Sequence, residues 1–240
     1  MPTARFFCPT PLQADSQITL PESLAHHALR VLRLPAGTTV ILFDGRGGQY
    51  PAVLQTQGRT ALADVGRHET VECELRGHLT LIQGIASGDK MDWVVEKAVE
   101  LGVSTLIPVA ADRSVLRLSG PRLEKRLARW QAIIQAASEQ CGRNRLMQIH
   151  EPAPLRDHLA ALNGLSLFCH PDGDSDFSQA LSNAQDTLNV LVGPEGGWSP
   201  EELDLARHHG LQGVRFGPRV LRTETAGLAM TAAATALLGW

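Results

Sequence analysis

The sequence has few cysteines and no long apolar run. The four cysteines lie far apart and include no CxxC pair, which argues against a disulfide framework or a zinc site and favours free, mostly buried thiols. No stretch has the roughly 20 uncharged apolar residues that cross a bilayer, and the proline-containing start is not a signal peptide. We therefore expect a cytoplasmic protein with no metal site and no membrane partner.

The chain is otherwise of ordinary globular composition. Hydrophobic residues make up 43% and charged residues 20%, which excludes disorder, collagen-like repeats and a coiled coil. At 240 residues the chain has room for one large domain, or for a small domain joined to a medium one.

Charge is distributed unevenly along the chain. The net charge of −3 argues by itself against a nucleic-acid partner. Residues 113–145, however, contain eight cations and two acids, a local charge of +6, so the remainder carries −9. Such a basic block is expected where a phosphate backbone binds, although charge alone equally fits a solvated helix face.

The first third of the sequence has the pattern of a small β-barrel. Residues 38–43, 49–56 and 60–66 are rich in strand-forming or alternating residues and are separated by glycine-containing turns. One helix is predicted at residues 21–32, with an apolar stripe formed by Leu24, Ala28, Val31 and Leu32. The polar residues 67–74 are a candidate linker between two domains.

From residue 79 onward, predicted strands alternate with predicted helices. This order is typical of a parallel sheet covered on both faces. The predicted strands are residues 79–86, 105–109, 146–150, 165–169, 188–192 and 213–216. The predicted helices are residues 89–101 and 121–141 and a last one after residue 225, with others between the remaining strands.

A glycine loop, GPEGGW at residues 193–198, follows one of these strands. Residues 199–202 then open a helix with a capping box and a proline at its first position. Ligands bind at such places in open parallel sheets. The spacing is neither GxGxxG nor GxxxxGK[ST], and Glu195 would repel a pyrophosphate, so a neutral or cationic ligand such as S-adenosylmethionine fits better. A purely structural turn is the alternative.

A second segment, FGPRVLRTETA at residues 216–226, precedes a helix of small apolar residues. A helix that is apolar on all sides is expected inside a domain or at a subunit interface. Arg219, Arg222 and Glu224 stand immediately before or at its start, where charges need partners or a function. A structural ion pair between arginine and glutamate is the alternative interpretation.

Together, VGPEGG at residues 192–197 with Glu202 and GPRVLRTETA at residues 217–226 resemble the motifs of the SPOUT methyltransferases. The sequence is most similar to the ribosomal RNA small-subunit methyltransferase E family, which methylates N3 of a uridine in 16S rRNA. Shorter matches extend along nearly the whole chain. They are RFF at 5–7, His27 with VLR at 31–33, Lys90 with EK at 96–97 and ELG at 100–102, RS at 113–114, and EQ at 139–140 with Arg143.

The resemblance implies an α/β protein in two domains. Residues 1–72 would form a PUA-like RNA-binding β-barrel, and residues 73–240 a SPOUT α/β domain with a deep trefoil knot, a rare exception among folds. It also implies a homodimer, and a substrate of 16S rRNA within the 30S subunit. S-adenosyl-L-methionine would bind in a pocket made by three loops. The implied cofactor-binding residues are Phe168, His170, Gly193, Glu195, Gly196, Gly197, Phe216, Gly217, Val220, Leu221 and Thr225.

Catalytic and RNA-binding roles follow as hypotheses. Arg222 would stabilise negative charge on the uracil oxygens, and Glu224, or alternatively Glu195, would accept the imide proton or orient the base. The residues expected to bind the RNA are Arg5, Arg30, Arg33, Arg113, Lys125, Arg126, Arg129 and Arg143.

Three other functions remain open. A sibling enzyme that methylates the ribose 2′-oxygen would share the pocket and differ in the methylated atom. A non-catalytic RNA-binding protein of ribosome assembly would leave the pocket vestigial, although the intact residues 195–197 and 222–225 argue against this. A dinucleotide-dependent oxidoreductase is disfavoured because the fingerprint is absent.

Overall fold

The computed structural model describes residues 3–58, 60–116 and 118–240. Arg117, one of the eight cations of the basic block, lies outside the described residues. The chain divides into two compact units. We call the residues up to Glu74 together with Ser138–Leu146 the N-terminal unit, and Leu75–Ala137 together with Met147–Trp240 the C-terminal unit.

The N-terminal unit is built on a five-stranded sheet of order β1-β3-β4-β5-β2. Its elements are β1 (Arg5–Phe7), β2 (Ser16–Thr19), α1 (Glu22–His26), β3 (Thr39–Phe43), β4 (Tyr50–Gln57) and β5 (Thr60–Val65). Strands β1 and β3 are parallel and the other pairs are antiparallel. Alternate residues of β3, β4 and β5 point into one apolar core, as in Val40 and Leu42. The three strands predicted here are confirmed.

The predicted helix at residues 21–32 changes form halfway. Helix α1 is followed by a π-helical turn, His27–Val31, in which the N–H of Leu32 bonds to the carbonyl five residues earlier. Leu24 and Ala28 are buried as predicted, but Val31 is 59% and Leu32 45% exposed. The wider turn moves these two side chains off the apolar stripe, so that part of the prediction is wrong.

The C-terminal unit contains a seven-stranded sheet in which all neighbouring strands are parallel. The strands are β6 (His78–Gly84), β7 (Thr105–Val109), β8 (Gln148–Ile149), β9 (Leu165–Cys169), β10 (Ser175–Asp176), β11 (Thr187–Val192) and β12 (Gln212–Arg215), in the order β10-β12-β9-β11-β6-β7-β8. The predicted parallel sheet is confirmed. The edge strands differ, because β10 was not predicted and β8 is shorter than expected.

Helices cover both faces of this sheet. They are α2 (Lys90–Glu100), α3 (Gly120–Cys141), α4 (Arg156–Leu159), α5 (Phe177–Ala180), α6 (Pro200–His208) and α7 (Thr223–Leu238). Helices α4 and α6 pack through Leu159 and Ala206 on a core that contains Ile82, Ile107 and Leu191 of the sheet. On the opposite face, α7 packs on β6 and β11 and beside α2.

The last helix is only half covered within one chain. Met230, Thr231 and Ala234 of α7 are buried, whereas Leu237 is 61% exposed. The expectation of a helix buried on all sides is therefore not met within the single chain, because only one face of α7 contacts the sheet. No helix in the described part of the chain is long and apolar enough to span a membrane.

The cysteines differ in exposure. All four are free thiols. Cys8 is buried but Cys73 is exposed, so the prediction of mostly buried thiols is wrong.

Candidate active site

Three neighbouring strands end at one edge of the parallel sheet and open a cavity there. Strand β9 lies between β11 and β12, and all three run parallel, so the loops that follow them meet at the same edge. The cavity has a volume of about 500 Å³, within the range of small-molecule sites. The glycine loop and the segment between β12 and α7 form most of its lining.

A close backbone approach fixes the glycine loop against the sheet. At Gly84, at the end of β6, an added Cβ would lie 2.5 Å from the nitrogen of Pro194, so a side chain there would displace the loop. The buried amide of Gln83 donates to Thr223 Oγ1 (2.8 Å), and the Thr223 hydroxyl donates to the carbonyl of Gly193. These bonds join the glycine loop to the start of α7.

The helix after the glycine loop begins with the predicted capping box. The N–H of Glu202 donates to the Ser199 hydroxyl, and the Glu202 carboxylate accepts from the N–H of Ser199. The same carboxylate accepts from the N–H of Asp112 at 3.1 Å, and the Ser199 hydroxyl donates to the carboxylate of Asp112 at 2.8 Å. The capping box thereby also ties the start of α6 to the loop after β7.

Glu195, in the glycine loop, is held by three donors. Its Oε1 accepts from the backbone N–H of Ser87 (3.1 Å), from the Ser87 hydroxyl (2.7 Å) and from Lys90 Nζ (2.9 Å). Partial burial raises the pKa of Glu195, but the hydrogen bonds from Lys90 and Ser87 outweigh it and lower the pKa to about 2. Glu195 is therefore an anion whose Oε1 is fully engaged by Ser87 and Lys90.

Glu224 is the second carboxylate in the cavity lining. It lies in the first turn of α7, where the positive end of the helix dipole favours an anion. Lys90 Nζ lies 3.6 Å from its Oε2. That oxygen is buried and accepts no hydrogen bond from any described residue.

Several cations also line the cavity. The side chains of Arg219 and Arg222 are exposed and form no hydrogen bond or ion pair with any described residue. Arg113 is exposed and donates a long bond, 3.4 Å, to the carbonyl of Gly196. Arg215 lies 3.5 Å from Asp176.

The lining fits the predicted cofactor. S-adenosylmethionine combines an apolar and aromatic body with a sulfonium cation and polar groups, so it needs mixed walls and a nearby negative charge. Carboxylates of Glu195 and Glu224, apolar Val220 and Leu221, and bare backbone at Gly193 meet those needs. Trp198 Nε1 is buried in this lining without a partner among the described residues, as expected of a donor aimed at a ligand.

The structure brings most of the predicted site residues together. Those in the cavity lining are His170, Gly193, Glu195, Gly197, Phe216, Gly217, Val220, Leu221, Arg222, Glu224 and Arg113. Gly196 lies in the glycine loop and Thr225 in the first turn of α7, but neither lines the cavity, and Phe168 is buried in the core beside Gly213. Sequence reasoning gave no role to Lys90, Trp198 or Thr223. No periodic pattern points to Lys90, since its carboxylate partners are more than 100 residues away.

The arginines predicted to bind RNA in the N-terminal unit differ in availability. Arg30 and Arg33 are exposed. Arg5 donates to Gln49 Oε1 (2.7 Å) and Asn144 Oδ1 (2.6 Å), and burial lowers its pKa. Arg143 is 3% exposed and forms a salt bridge of 2.6 Å with Glu74. Arg143 therefore stabilises the unit and is not a surface charge, contrary to its predicted contact with RNA.

The predicted basic face of α3 is partly neutralised within the C-terminal unit. Asp92 accepts from Arg126 (3.2 Å), from Arg129 (2.5 Å) and from the indole N–H of Trp130 (3.1 Å). Lys125 is exposed and has no such partner among the described residues. Within the described part of the chain, no three His, Cys, Asp or Glu side chains are placed to hold a metal ion.

Comparison with known proteins identifies two regions of the chain. Residues 73–235 match the RNA methyltransferase domain family, and residues 20–65 match the RNA methyltransferase PUA domain. The chain is therefore an α/β protein with a PUA-like domain and a methyltransferase domain.

Three similar proteins share one name. The chain is 31% identical to the ribosomal RNA small subunit methyltransferase E of Synechocystis sp., over 93% of this chain and 74% of the relative. It is 30% identical to the Bacillus subtilis enzyme of that name, over 85% and 83%. The Neisseria gonorrhoeae enzyme of that name, whose crystal structure was solved with bound S-adenosyl methionine, is 35% identical in sequence. The two structures superpose over 98% of each chain with a TM-score of 0.90. The chain therefore belongs to the ribosomal RNA small subunit methyltransferase E family.

Proposed function

We propose that this protein methylates N3 of a specific uridine in 16S rRNA of the small ribosomal subunit. Family membership makes it an S-adenosylmethionine-dependent rRNA methyltransferase. The observation that carries the proposal is the cavity at the carboxyl edge of the sheet. It contains two carboxylates and the exposed side chain of Arg222, which pairs with no residue that the structure describes. This set can bind a cationic methyl donor and also stabilise an anionic base.

The reaction needs a deprotonated, correctly placed uracil. The imide proton on N3 is weakly acidic, and the nitrogen must stand in line with the methyl group that it attacks. S-adenosylmethionine, when bound, supplies that methyl group on a sulfonium. We assign to Arg222 the stabilisation of negative charge on the uracil oxygens, because its guanidinium is always charged and has no partner among the described residues.

Between the two carboxylates, Glu224 is the better candidate to accept the imide proton or orient the base. Glu195 Oε1 already accepts three hydrogen bonds, and its pKa of about 2 makes it a weak proton acceptor. Glu224 accepts no hydrogen bond from a described residue. We therefore place the proton transfer at Glu224.

RNA contacts are assigned to exposed cations. In the N-terminal unit these are Arg30 and Arg33, and in the C-terminal unit Arg113 and Lys125. Arg126 and Arg129 already pair with Asp92, and Arg5 already donates to Asn144. Any contact of these three arginines with RNA must therefore form while those partners are bound. The division of labour that we propose is RNA binding by residues 1–72 and methyl transfer by residues 73–240.

Finer features of the fold and assembly belong to the same proposal. Resemblance to the SPOUT methyltransferases supports a closed PUA-like barrel and a deep trefoil knot. The exposed apolar face of α7, with Leu237 61% exposed, supports a homodimer that covers it. The rRNA substrate supports a cytoplasmic location.

Transfer of labelled methyl groups tests the proposal. Purified protein would be incubated with labelled S-adenosylmethionine and with either 30S subunits or free 16S rRNA that lack the modification. Label in the rRNA is the expected result, and the RNA form that reacts defines the stage of assembly. Cofactor binding without label in either RNA would contradict the proposal.

A further inference from the structure

Lys90 lies between the two carboxylates of the candidate active site. Its Nζ is 2.9 Å from Glu195 Oε1 and 3.6 Å from Glu224 Oε2. Its side chain is 31% exposed, and it contributes to the cavity lining together with both acids. A single ammonium therefore connects the glycine loop to the first turn of α7.

The position of Lys90 is unfavourable for a lysine that only stabilises its helix. It is the first residue of α2, and Asp89 forms no side-chain cap. A cation at this end is opposed by the helix dipole. Partly exposed salt bridges also contribute little to stability. The placement of Lys90 is better explained by what it does in the cavity than by the stability of α2.

Glu195 keeps Lys90 in place and charged. The Ser87 backbone N–H and hydroxyl fix Glu195 Oε1, which in turn accepts from Lys90. The hydrogen bond to Glu195 raises the pKa of Lys90, so it stays an ammonium and does not act as a base.

The ammonium acts on Glu224 Oε2, which is buried and has no hydrogen-bond partner in the described part of the chain. Attraction of Oε2 restricts rotation of the carboxylate about the end of its side chain. Oε1 is then the oxygen left for the substrate, in a fixed direction.

We propose that Lys90 is a positioning residue for uridine methylation, that it orients Glu224 toward the base, and that Glu195 serves as the anchor of Lys90. This inference rests on the proposed function. It assigns the two carboxylates different tasks in the transfer step, with Glu224 facing the base and Glu195 holding Lys90 in place.

Substitutions of Lys90 test the inference in the methyl-transfer assay. We expect Lys90→Met to lower kcat by about 100-fold, because a displaced reacting group costs about that factor. We expect little change in the KM for S-adenosylmethionine or in Tm. Lys90→Arg restores the cation and should recover most of kcat. The matched control is Lys97→Met on the same helix, whose lysine pairs with Glu96 and Glu100 outside the cavity and should leave kcat unchanged.

A double-mutant cycle tests the role of Glu195. Glu195→Gln should lower kcat, but it should cost nothing further when Lys90 is already methionine. Independent, additive losses would overturn the anchoring role. Wild-type kcat retained in Lys90→Met, or an arginine variant as slow as the methionine variant, would overturn the positioning role. Failure of the proposed function can be distinguished from failure of this inference. If the proposed function is wrong, the wild-type protein itself transfers no label to rRNA.

Discussion

At the scale of single residues, neighbours decide what each charged group in the site can do. Glu195 and Glu224 are both carboxylates in the same cavity lining. Ser87 and Lys90 saturate one oxygen of Glu195, whereas among the residues that the structure describes Glu224 pairs only with the Lys90 ammonium, at 3.6 Å. Glu195 therefore anchors Lys90, whereas Glu224 is the candidate proton acceptor.

Arg222→Ala should lower kcat by roughly 10²–10³-fold, the usual cost of losing one donor that stabilises a developing anion. The dissociation constant of S-adenosylmethionine should change little, because the proposed partner of Arg222 is the base. Calorimetry for binding and the methyl-transfer assay for turnover give the two values. The matched control, Arg156→Ala, removes an arginine that is exposed on α4 and pairs with Asp157. Unchanged turnover in Arg222→Ala would remove Arg222 from the mechanism.

The low pKa of Glu195 also makes the stability of the folded protein depend on pH. Because its pKa in the folded protein is lowered from 4.5 to about 2, ionised Glu195 stabilises the fold above its ordinary pKa, and this contribution is lost as the pH falls toward 2. Denaturant unfolding of wild type and Glu195→Gln should therefore differ more at a pH of about 6 than at about 3. An equal difference at both pH values would contradict the lowered pKa.

Site residues could be predicted where they belong to one contiguous motif, but not where their role depends on a partner far away in the sequence. The glycine loop and the segment before α7 are contiguous motifs, so most lining residues could be found in advance. The role of Lys90 could not, although Lys90 is among the residues that match the family, because its pairing with Glu195 spans 105 positions and exists only after the sheet forms. Burial of Arg143 against Glu74 likewise depends on two distant segments.

At the scale of elements, the spacing of apolar residues predicts the strands and helices whose side chains face a core. The alternating strands of the N-terminal unit and the apolar strands of the C-terminal unit were found because their side chains face a core. The π-helical turn after α1 and the two-residue strand β10 were not predicted. Both depend on tertiary packing, which no short periodic pattern encodes.

The capping box at α6 gives a prediction at this scale. Ser199→Ala should lower the free energy of unfolding by about 1 kcal/mol, because it removes the side-chain acceptor for the Glu202 N–H and the donor to Asp112. Ser182→Ala, at a serine that is exposed and bonds only to the carbonyl of Gln179, should stay within about 0.5 kcal/mol. Denaturant titration measures both. An equal loss of unfolding free energy in the two variants would show that the capping box does not stabilise the fold.

At the scale of the whole molecule, the basic block has fewer free charges than its sequence indicates. Asp92 pairs with Arg126 and Arg129, and Glu74 with Arg143. The local charge of +6 could be counted from the sequence, but these pairings could not be predicted, because the acids lie at positions 92 and 74, outside the block. The chain can consequently be acidic overall and still present a limited set of exposed cations.

Lys125→Ala should weaken RNA binding and reduce the slope of log affinity against log salt by about 1, the change expected when one phosphate contact is lost. Lys97→Ala, at a lysine already paired with two glutamates, should leave the slope unchanged. Binding of a 16S rRNA fragment at several salt concentrations measures the slopes. The same slope in Lys125→Ala as in wild type would exclude Lys125 from the RNA contact.

Methylation of uridine N3 is tested most directly by identifying the atom that receives the methyl group. Unmodified 30S subunits would be treated with the protein and S-adenosylmethionine, and the rRNA would be digested to nucleosides and analysed by mass spectrometry. We expect 3-methyluridine, formed by the wild type and greatly reduced with Arg222→Ala. A 2′-O-methylated nucleoside, or 3-methyluridine formed equally well without Arg222, would contradict it.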